Sequence, residues 1–279
     1  IAKQVLGTDD PDQVQKRLAD WNGFDQVAEQ MHQAGYYMLS GYDDSYRAFS
    51  NNVSSPWVKD NKIVIDPSIQ RWIEQTKSYS DNNYSNHTTL WTPQWSQDQG
   101  PDGKVFGFFY STWGINFTLM GNALADSSAP AEKGNGIYGD YAVCEGPQAY
   151  YWGGTWMCAA KGTDNIPFIR DLMYRLTCDA DTMKQITLDT QDYTNNQKAM
   201  EEIAASDYGS DFLGGQNHIA LFAEAAKKID MSNISDYDKD CNELIQKALH
   251  PYFDGEISLE EGMQDFYSQM KALYPELSE

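Results

Sequence analysis

Basic residues, histidine and cysteine are all scarce in this sequence. Its 279 residues carry 20 Lys and Arg against 41 Asp and Glu, a formal net charge of -21. Nucleic-acid binding needs basic stripes that neutralise phosphates, and none is present. The same balance argues against anionic membrane surfaces and polyanionic ligands, while for a neutral ligand it mainly aids solubility. The four histidines, His32, His87, His218 and His250, have no local motif, and there is no G-x-S-x-G elbow, so a catalytic triad finds little support. The four cysteines, Cys144, Cys158, Cys178 and Cys241, show neither CxxC spacing nor a histidine at metal-finger distance. Cys144 and Cys158 fall in apolar runs that could face each other, but free buried thiols are the simpler expectation. No apolar run approaches the roughly 20 residues of a membrane span, and Ile1 opens no charged-then-apolar signal; a secreted protein in mature form has the same appearance.

What is present is enough for a folded chain of two domains. Hydrophobic residues make up 41% of the sequence, sufficient for a sizeable core. Up to Gly162 strand-like and helix-like runs alternate. The spacing predicts helices over 11–19 and 24–34, a strand over 36–40, and a short strand over 62–65. Next comes a helix capped by Asp66, with Pro67 at its first position and Ile69, Trp72 and Ile73 as its buried stripe. Residues 78–103 lack periodicity and read as a polar surface excursion carrying Trp91 and Trp95. A strand is expected over 105–110 and a helix over 112–124. Beyond Gly162 amphipathic helices dominate, over 166–177, 179–189, 197–205, 217–229, 236–249 and 258–273.

Residues 138–162, YGDYAVCEGPQAYYWGGTWMCAAKG, stand out. Two strand-like runs, 138–144 and 155–160, flank a Gly/Pro connection in which Tyr150, Tyr151, Trp152 and Trp156 crowd together. Aromatics beside paired glycines suit the wall of a pocket for a flat ligand. Sugar rings have that character, with apolar C–H faces and a rim of hydroxyls, so they call for aromatic platforms plus amide and carboxylate partners. Trp113 with Asn116, Trp152 before its glycine pair, Tyr42, Asp43 and Tyr46 at a strand end, and Gln216 with Asn217 at a helix start supply both kinds. Trp21, Trp57 and Trp72 read as packing residues; Trp91, Trp95 and Trp156 stay open.

Other chemistries are weaker. A glycoside hydrolase would need only two acids beside such aromatics, with Asp43, Asp44, Asp140 and Glu145 the best placed. Asp236, Asp238 and Asp240 imitate a calcium loop, but Cys241 and Lys247 stand where Gly and a closing Glu are required, so the acids are better explained as helix N-terminal residues. Five Asn-x-Ser/Thr triplets, at Asn52, Asn83, Asn86, Asn116 and Asn233, do not by themselves establish glycosylation. No metal and no cofactor is expected. A surface adhesion protein without a small-ligand cleft is a third class.

Three stretches carry a resemblance: residues 104–117, KVFGFFYSTWGINF; residues 138–165 with IPFIRDLMYRLT after them; and residues 214–229, GGQNHIALFAEAAKKI. In order and spacing they resemble extracellular solute-binding proteins, family 1, of carbohydrate ABC transporters, the group that includes maltose-binding protein. The resemblance implies a type II periplasmic-binding-protein α/β fold, with two lobes joined by crossover strands that close on a sugar. It implies a non-enzymatic receptor that delivers a mono- or oligosaccharide to ABC transporter membrane subunits. It implies a place on the extracellular face of the membrane or in the periplasm, commonly as a lipoprotein, with membrane contact only through an anchor this chain lacks. On that mapping residues 1–147 and 212–279 form the second lobe and 148–211 a remnant of an incomplete first lobe. Phe168, Leu172 and Leu176 are then expected to be exposed, and sugar affinity to be weak.

Overall fold

Local capping chemistry sets most of the helix starts in the computed structural model, which describes residues 1–278. After a short α1 (Ala2–Leu6), Asp10 accepts from the Asp12 amide to open α2 (Pro11–Leu18), and Asp20 accepts from the Gly23 amide to open α3 (Trp21–Gln33). Helix α3 turns Trp21, Phe24, Val27, Ala28 and Met31 inward. Strand β1 (Leu39–Gly41) leads into α4 (Tyr46–Ser50). A hairpin follows, β2 (Val58–Lys59) and β3 (Lys62–Ile63), whose turn residues Asp60 and Asn61 both have positive φ, the twist a two-residue hairpin turn needs.

Asp66 then caps α5 (Pro67–Asp81), with Pro67 in its first turn as the sequence predicts. Strand β4 (Ser85–Thr88) pairs in parallel with β1, matching Leu39 to Ser85 and Gly41 to Thr88. The approach at Gly41 is so close that a Cβ there would lie 2.0 Å from the Thr88 carbonyl oxygen, so any larger residue would part the strands. Helix α6 (Pro93–Asp98) is capped by Thr92, and a π turn over Ile115–Leu119 runs into α7 (Met120–Asn122). The remaining helices are α8 (Ile166–Thr177), α9 (Ala180–Thr190), α10 (Gln197–Ala204), α11 (His218–Ala226), α12 (Asp238–Phe253) and α13 (Leu259–Leu273), the last opened by a Ser258/Glu261 capping box. Asp238 and Asp240 lie in the first turn of α12, where the helix dipole favours acids.

Apolar residues gather in three clusters. The largest joins α2, α3, α4 and α5 to α12 and α13 around Trp72, Phe253 and Phe266. A second packs Ile115, Leu119 and Tyr138 against Phe212 and Leu213, and a third packs α9 and α10 against Ile219 of α11. Trp21, Trp57 and Trp72 are all buried, in keeping with a packing role.

Several expected strands take another form. Residues 105–107 do run beside the segment leading into β1, with Phe106 N–H donating to the Tyr37 carbonyl (2.8 Å) and Gly107 N–H to that of Met38 (3.2 Å), but regular pairing stops there. Residues 138–144 pair with a side chain instead of a strand: the Gln216 amide accepts from Val143 N–H (2.7 Å) and donates to its carbonyl (2.8 Å). Residues 155–160 have no partner strand among the described residues and are largely exposed. Residues 78–103 are no surface excursion. They hold β4 and α6, and Trp95 in their midst is buried.

All four cysteines are free; Cys158 and Cys178 are exposed, Cys144 is half-buried and Cys241 is buried. Helix α8 buries none of its residues, and its Phe168 is 69% exposed beside exposed Leu172 and Leu176. Such a face binds hydrophobic dyes, and Phe168→Ser with Leu172→Lys should reduce 8-anilinonaphthalene-sulfonate fluorescence without lowering Tm. A fall in Tm of several degrees would show that these side chains are packed in solution.

Candidate functional site

The tryptophans sort themselves by where their indole N–H groups go. Four are buried and each donates inside the protein: Trp21 to Gln148 Oε1 (2.6 Å), Trp57 to Asn242 Oδ1 (3.1 Å), Trp72 to the Tyr42 carbonyl (3.3 Å) and Trp95 to Asp44 Oδ1 (3.3 Å). Trp91, Trp113 and Trp152 donate to no residue among those described, yet all three meet in one cluster. The Trp113 ring lies parallel to Trp91 (6.0 Å between centroids, 8° between planes) and edge-on to Trp152 (6.5 Å, 68°). Tyr110 lies among them, 5.7 Å from Trp113 and 5.8 Å from Trp152, and Phe117, 71% exposed, flanks Trp113 at 5.5 Å.

Each wall of this cleft has an identifiable support. Tyr110 rests on Gly114 so closely that a Cβ would fall 1.4 Å from its ring, which only glycine permits. Below it Trp95 stacks at 5.5 Å and 16°, fixed through its N–H to Asp44. The Tyr150 hydroxyl holds the backbone of Tyr110 at both ends, accepting from its N–H (2.8 Å) and donating to its carbonyl (2.6 Å). Burial pushes the Tyr150 phenol pKa well up, which keeps it neutral and able to donate. Tyr150 therefore anchors the cleft and does not face it. Trp152 follows a segment tied to the end of α4 by Asn51, which accepts from Tyr151 N–H (2.5 Å), and by Asn52, which donates to the Ala149 carbonyl (2.9 Å). The Arg47 guanidinium lies over the Trp152 ring at 5.6 Å.

A cavity of about 1430 Å³ runs beneath this cluster, and Trp113, Trp152, Tyr110 and Ser111 are among its lining residues. Ser111 is only 6% exposed, and its hydroxyl has no partner among the described residues. A buried hydroxyl lining a cavity is a natural contact for water or a ligand hydroxyl. Thr112 Oγ1 donates to Asp192 Oδ1 (2.5 Å), whose pKa burial raises.

Of the eight residues singled out in the sequence, Trp113 and Trp152 come together here, and Asn116 is exposed one turn from Trp113. The other five are engaged elsewhere. Tyr42 and Tyr46 are buried; the Tyr42 hydroxyl donates to Asp254, and that of Tyr46 to Asn242 Oδ1 (2.5 Å). Asp43 accepts from His250 Nε2 (2.7 Å). Gln216 braces Val143, and Asn217 caps α11 while donating to the Ile203 carbonyl (3.1 Å). Tyr110 and Ser111 line the cavity without having been singled out, and Trp91 stacks on Trp113 without lining it.

No family model matches the chain, and neither does any curated protein. Among solved structures, the chain superposes on an extracellular solute-binding protein of family 1 with a TM-score of 0.74 at 13% identity, covering 95% of this chain and 68% of that one. It superposes on the ABC transporter associated binding protein from B. animalis subsp. lactis Bl-04, in complex with β-1,6-galactobiose, with a TM-score of 0.67 at 17% identity (92% and 66% covered). A third match is the galacto-N-biose-/lacto-N-biose I-binding protein of the ABC transporter from Bifidobacterium longum, TM-score 0.63 at 13% identity (91% and 63% covered). The chain thus spans about two-thirds of the length of these structures. At this level of identity the comparison establishes architecture: the chain has the α/β fold of the extracellular solute-binding proteins.

Proposed function

We propose that this chain is the carbohydrate-binding part of a solute receptor that serves an ABC importer on the extracellular side of the membrane. The observation that carries the reading is the aromatic cluster at the cavity, whose three tryptophans have no acceptor for their indole N–H groups among the described residues. Buried tryptophans normally find a protein partner, as the four buried ones here do, whereas Trp113 and Trp152 are half-buried and Trp91 is exposed, so their N–H groups are open to solvent or a ligand. Flat faces edged with spare donors, beside the unpartnered Ser111 hydroxyl, suit a neutral ring rimmed with hydroxyls. The folds it matches include sugar-bound transporter proteins, which supports the same reading. Trp113 and Trp152 are the stacking platforms, with Asn116 at the rim.

A hydrolase reading fares worse on geometry. Asp43 and Asp44 are engaged with His250 and with the Ser40 and Gly41 amides, and neither lines the cavity. Asp140 and Glu145 do line it, but Glu145 is ion-paired with Lys228. The remaining assignments, an extracellular location, a lipid anchor and partner membrane subunits, rest on the fold.

Titration with neutral disaccharides, followed by tryptophan fluorescence, tests the reading. Saturable change with a Kd near or above about 1 mM is expected, and Trp113→Ala should weaken it about tenfold at unchanged Tm. Release of reducing ends, or no saturable change with any saccharide of a broad panel, would refute it.

A further inference from the structure

We infer that the solute is a cationic amino sugar, whose ammonium group pairs with the carboxylate of Asp192 at the polar end of the cavity. The inference rests on the carbohydrate-receptor reading above and names the class of saccharide. Charge around the cavity is its first basis. Lys3 is the one basic side chain in the lining, against Asp9, Asp98, Asp140, Glu145 and Asp192. Lys3 is paired with Asp9 (3.2 Å) and Lys228 with Glu145, while Asp98 accepts from Ser40 Oγ (2.6 Å) and Asn86 Nδ2 (2.9 Å). Asp140 and Asp192 are left without a cation among the described residues. Asp140 is exposed and solvated, whereas Asp192 is half-buried.

The surroundings of Asp192 fit an organic ammonium. Its Oδ1 is satisfied, accepting from Thr112 Oγ1 (2.5 Å) and from the Tyr193 N–H (2.7 Å), while Oδ2 accepts from no described residue. His218 faces it, but burial holds that imidazole's pKa below 6.5, so it supplies no positive charge at neutral pH. A carboxylate withdrawn from water without a countercharge is costly, and burial raises the Asp192 pKa accordingly. A bound cation removes that cost, an advantage no neutral sugar has. A metal ion would need several ligands, and no group of three His, Cys, Asp or Glu among the described residues could hold one. An ammonium needs only a carboxylate oxygen and neighbouring acceptors. Ser111, adjacent to Thr112 in the chain, brings one: its hydroxyl lines the cavity, is 94% buried with its residue at 6% exposure, and has no partner among the described residues.

Placement joins this charge to the stacking platforms. Thr112, which donates to Asp192, is followed directly by Trp113, whose ring meets Trp152 at 6.5 Å. Asp192, Thr194 and Asn195 lie between α9 and α10 and line the cavity together, so its polar end forms where that turn meets residues 111–113. A pyranose keeps its flat faces whether a ring carbon carries a hydroxyl or an ammonium, so stacking on Trp113 is common to both and the charge alone discriminates. The net charge of -21 attracts any cation at long range, but salt screens that field; the half-buried pair with Asp192 is screened less.

Cellobiose, chitobiose and N,N′-diacetylchitobiose are matched probes: they share ring configuration and β-1,4 linkage and differ only at C2, which carries hydroxyl, ammonium or acetamide. Calorimetry at about pH 6.5, where a sugar amine is protonated, is expected to show chitobiose bound about tenfold more tightly than either of the others. Raising NaCl from about 0.05 to about 0.5 M should shrink this preference without abolishing it. Asp192→Asn should bring all three probes within about twofold of one another at unchanged Tm, since the amide oxygen still accepts from Thr112 and Tyr193. Chitobiose bound no more tightly than cellobiose would overturn the inference. So would a preference that Asp192→Asn retains, or one lost entirely at high salt, either of which traces to the charge of the surface as a whole. Failure of all three probes, with Trp113-dependent binding of another saccharide, would overturn it as well; each of these outcomes leaves the receptor reading intact. If no saccharide binds at all, the receptor reading falls and the amino-sugar inference with it.

Discussion

Trp72→Ala should lower the free energy of unfolding by about 3–5 kcal/mol, a large share of the stability of a domain this size. Trp72 lies in α5 with its side chain wholly buried. Its ring meets Tyr46 edge-on at 4.7 Å and Phe253 edge-on at 5.3 Å, so it joins α4 to α12 across nearly the whole chain. Its N–H also closes the Tyr42 carbonyl at the end of β1 (3.3 Å). Truncation would leave a large cavity and an unpartnered carbonyl, with rigid helices on three sides that cannot collapse into the space. Urea unfolding should show the midpoint moving down with little change in m. Trp91→Ala, made on an exposed ring, supplies the contrast and should move the midpoint far less. A Trp72→Ala midpoint within about 1 kcal/mol of wild type would mean that α5 does not join these elements as described.

Much of this core was legible in the sequence because helical signals are local. Asp66 with Pro67 marks the start of α5, and the spacing of Ile69, Trp72 and Ile73 marks its buried face. Short-range signals were also available where they went unread: Thr92 followed by Pro93 is the same capping signature, and it opens α6 inside a stretch whose polar composition suggested a loop. The strands were less legible. Residues 138–144 have strand-like composition, but their partner is the side chain of Gln216, more than 70 positions away. No local pattern encodes such a pairing.

Site residues divide along the same line. Aromatic residues at strand ends look alike whether they face a cleft or a core, and their partners decide the matter. Tyr42 and Tyr46 find theirs on α12 and just beyond it, at Asp254 and Asn242, about 200 residues away in sequence. Trp113 was legible because a strand-like run, a small residue and a helix start surround it. Trp91 was not, because a tryptophan with a left-handed backbone has no sequence signature. The small residue beside Trp113, Gly114, shapes the cleft from below by letting the Tyr110 ring lie flat.

The buried carboxyl of Asp44 should give the protein a stability that falls as pH rises from about 4 to about 7. Asp44 is buried at the end of β1; its Oδ2 accepts from the amides of Ser40 (2.8 Å) and Gly41 (3.0 Å), and its Oδ1 from the Trp95 indole (3.3 Å). Burial without a countercharge raises its pKa from 3.8 to about 7, and the amide donors only partly offset this. Because the folded state holds this proton more tightly than the unfolded chain, the contribution is complete below about 4 and lost as pH climbs through about 7. Its full span is on the order of 4 kcal/mol. His218 works in the opposite sense: burial lowers its pKa below 6.5, so its neutral form favours folding as pH rises towards that value. The difference between wild type and Asp44→Asn isolates the carboxyl. Asparagine can accept from both backbone amides but turns an N–H₂ towards Trp95, so the variant should be less stable than wild type at pH 4.5, and the difference should shift steadily in the variant's favour up to about pH 7 and then stay level. A gap that is constant or widens with pH would show Asp44 to be ionised throughout. Since Trp95 lies directly under Tyr110, the same proton also bears on the floor of the aromatic cleft, and ligand affinity in the variant should lose whatever pH dependence the wild type has between pH 5 and about 7.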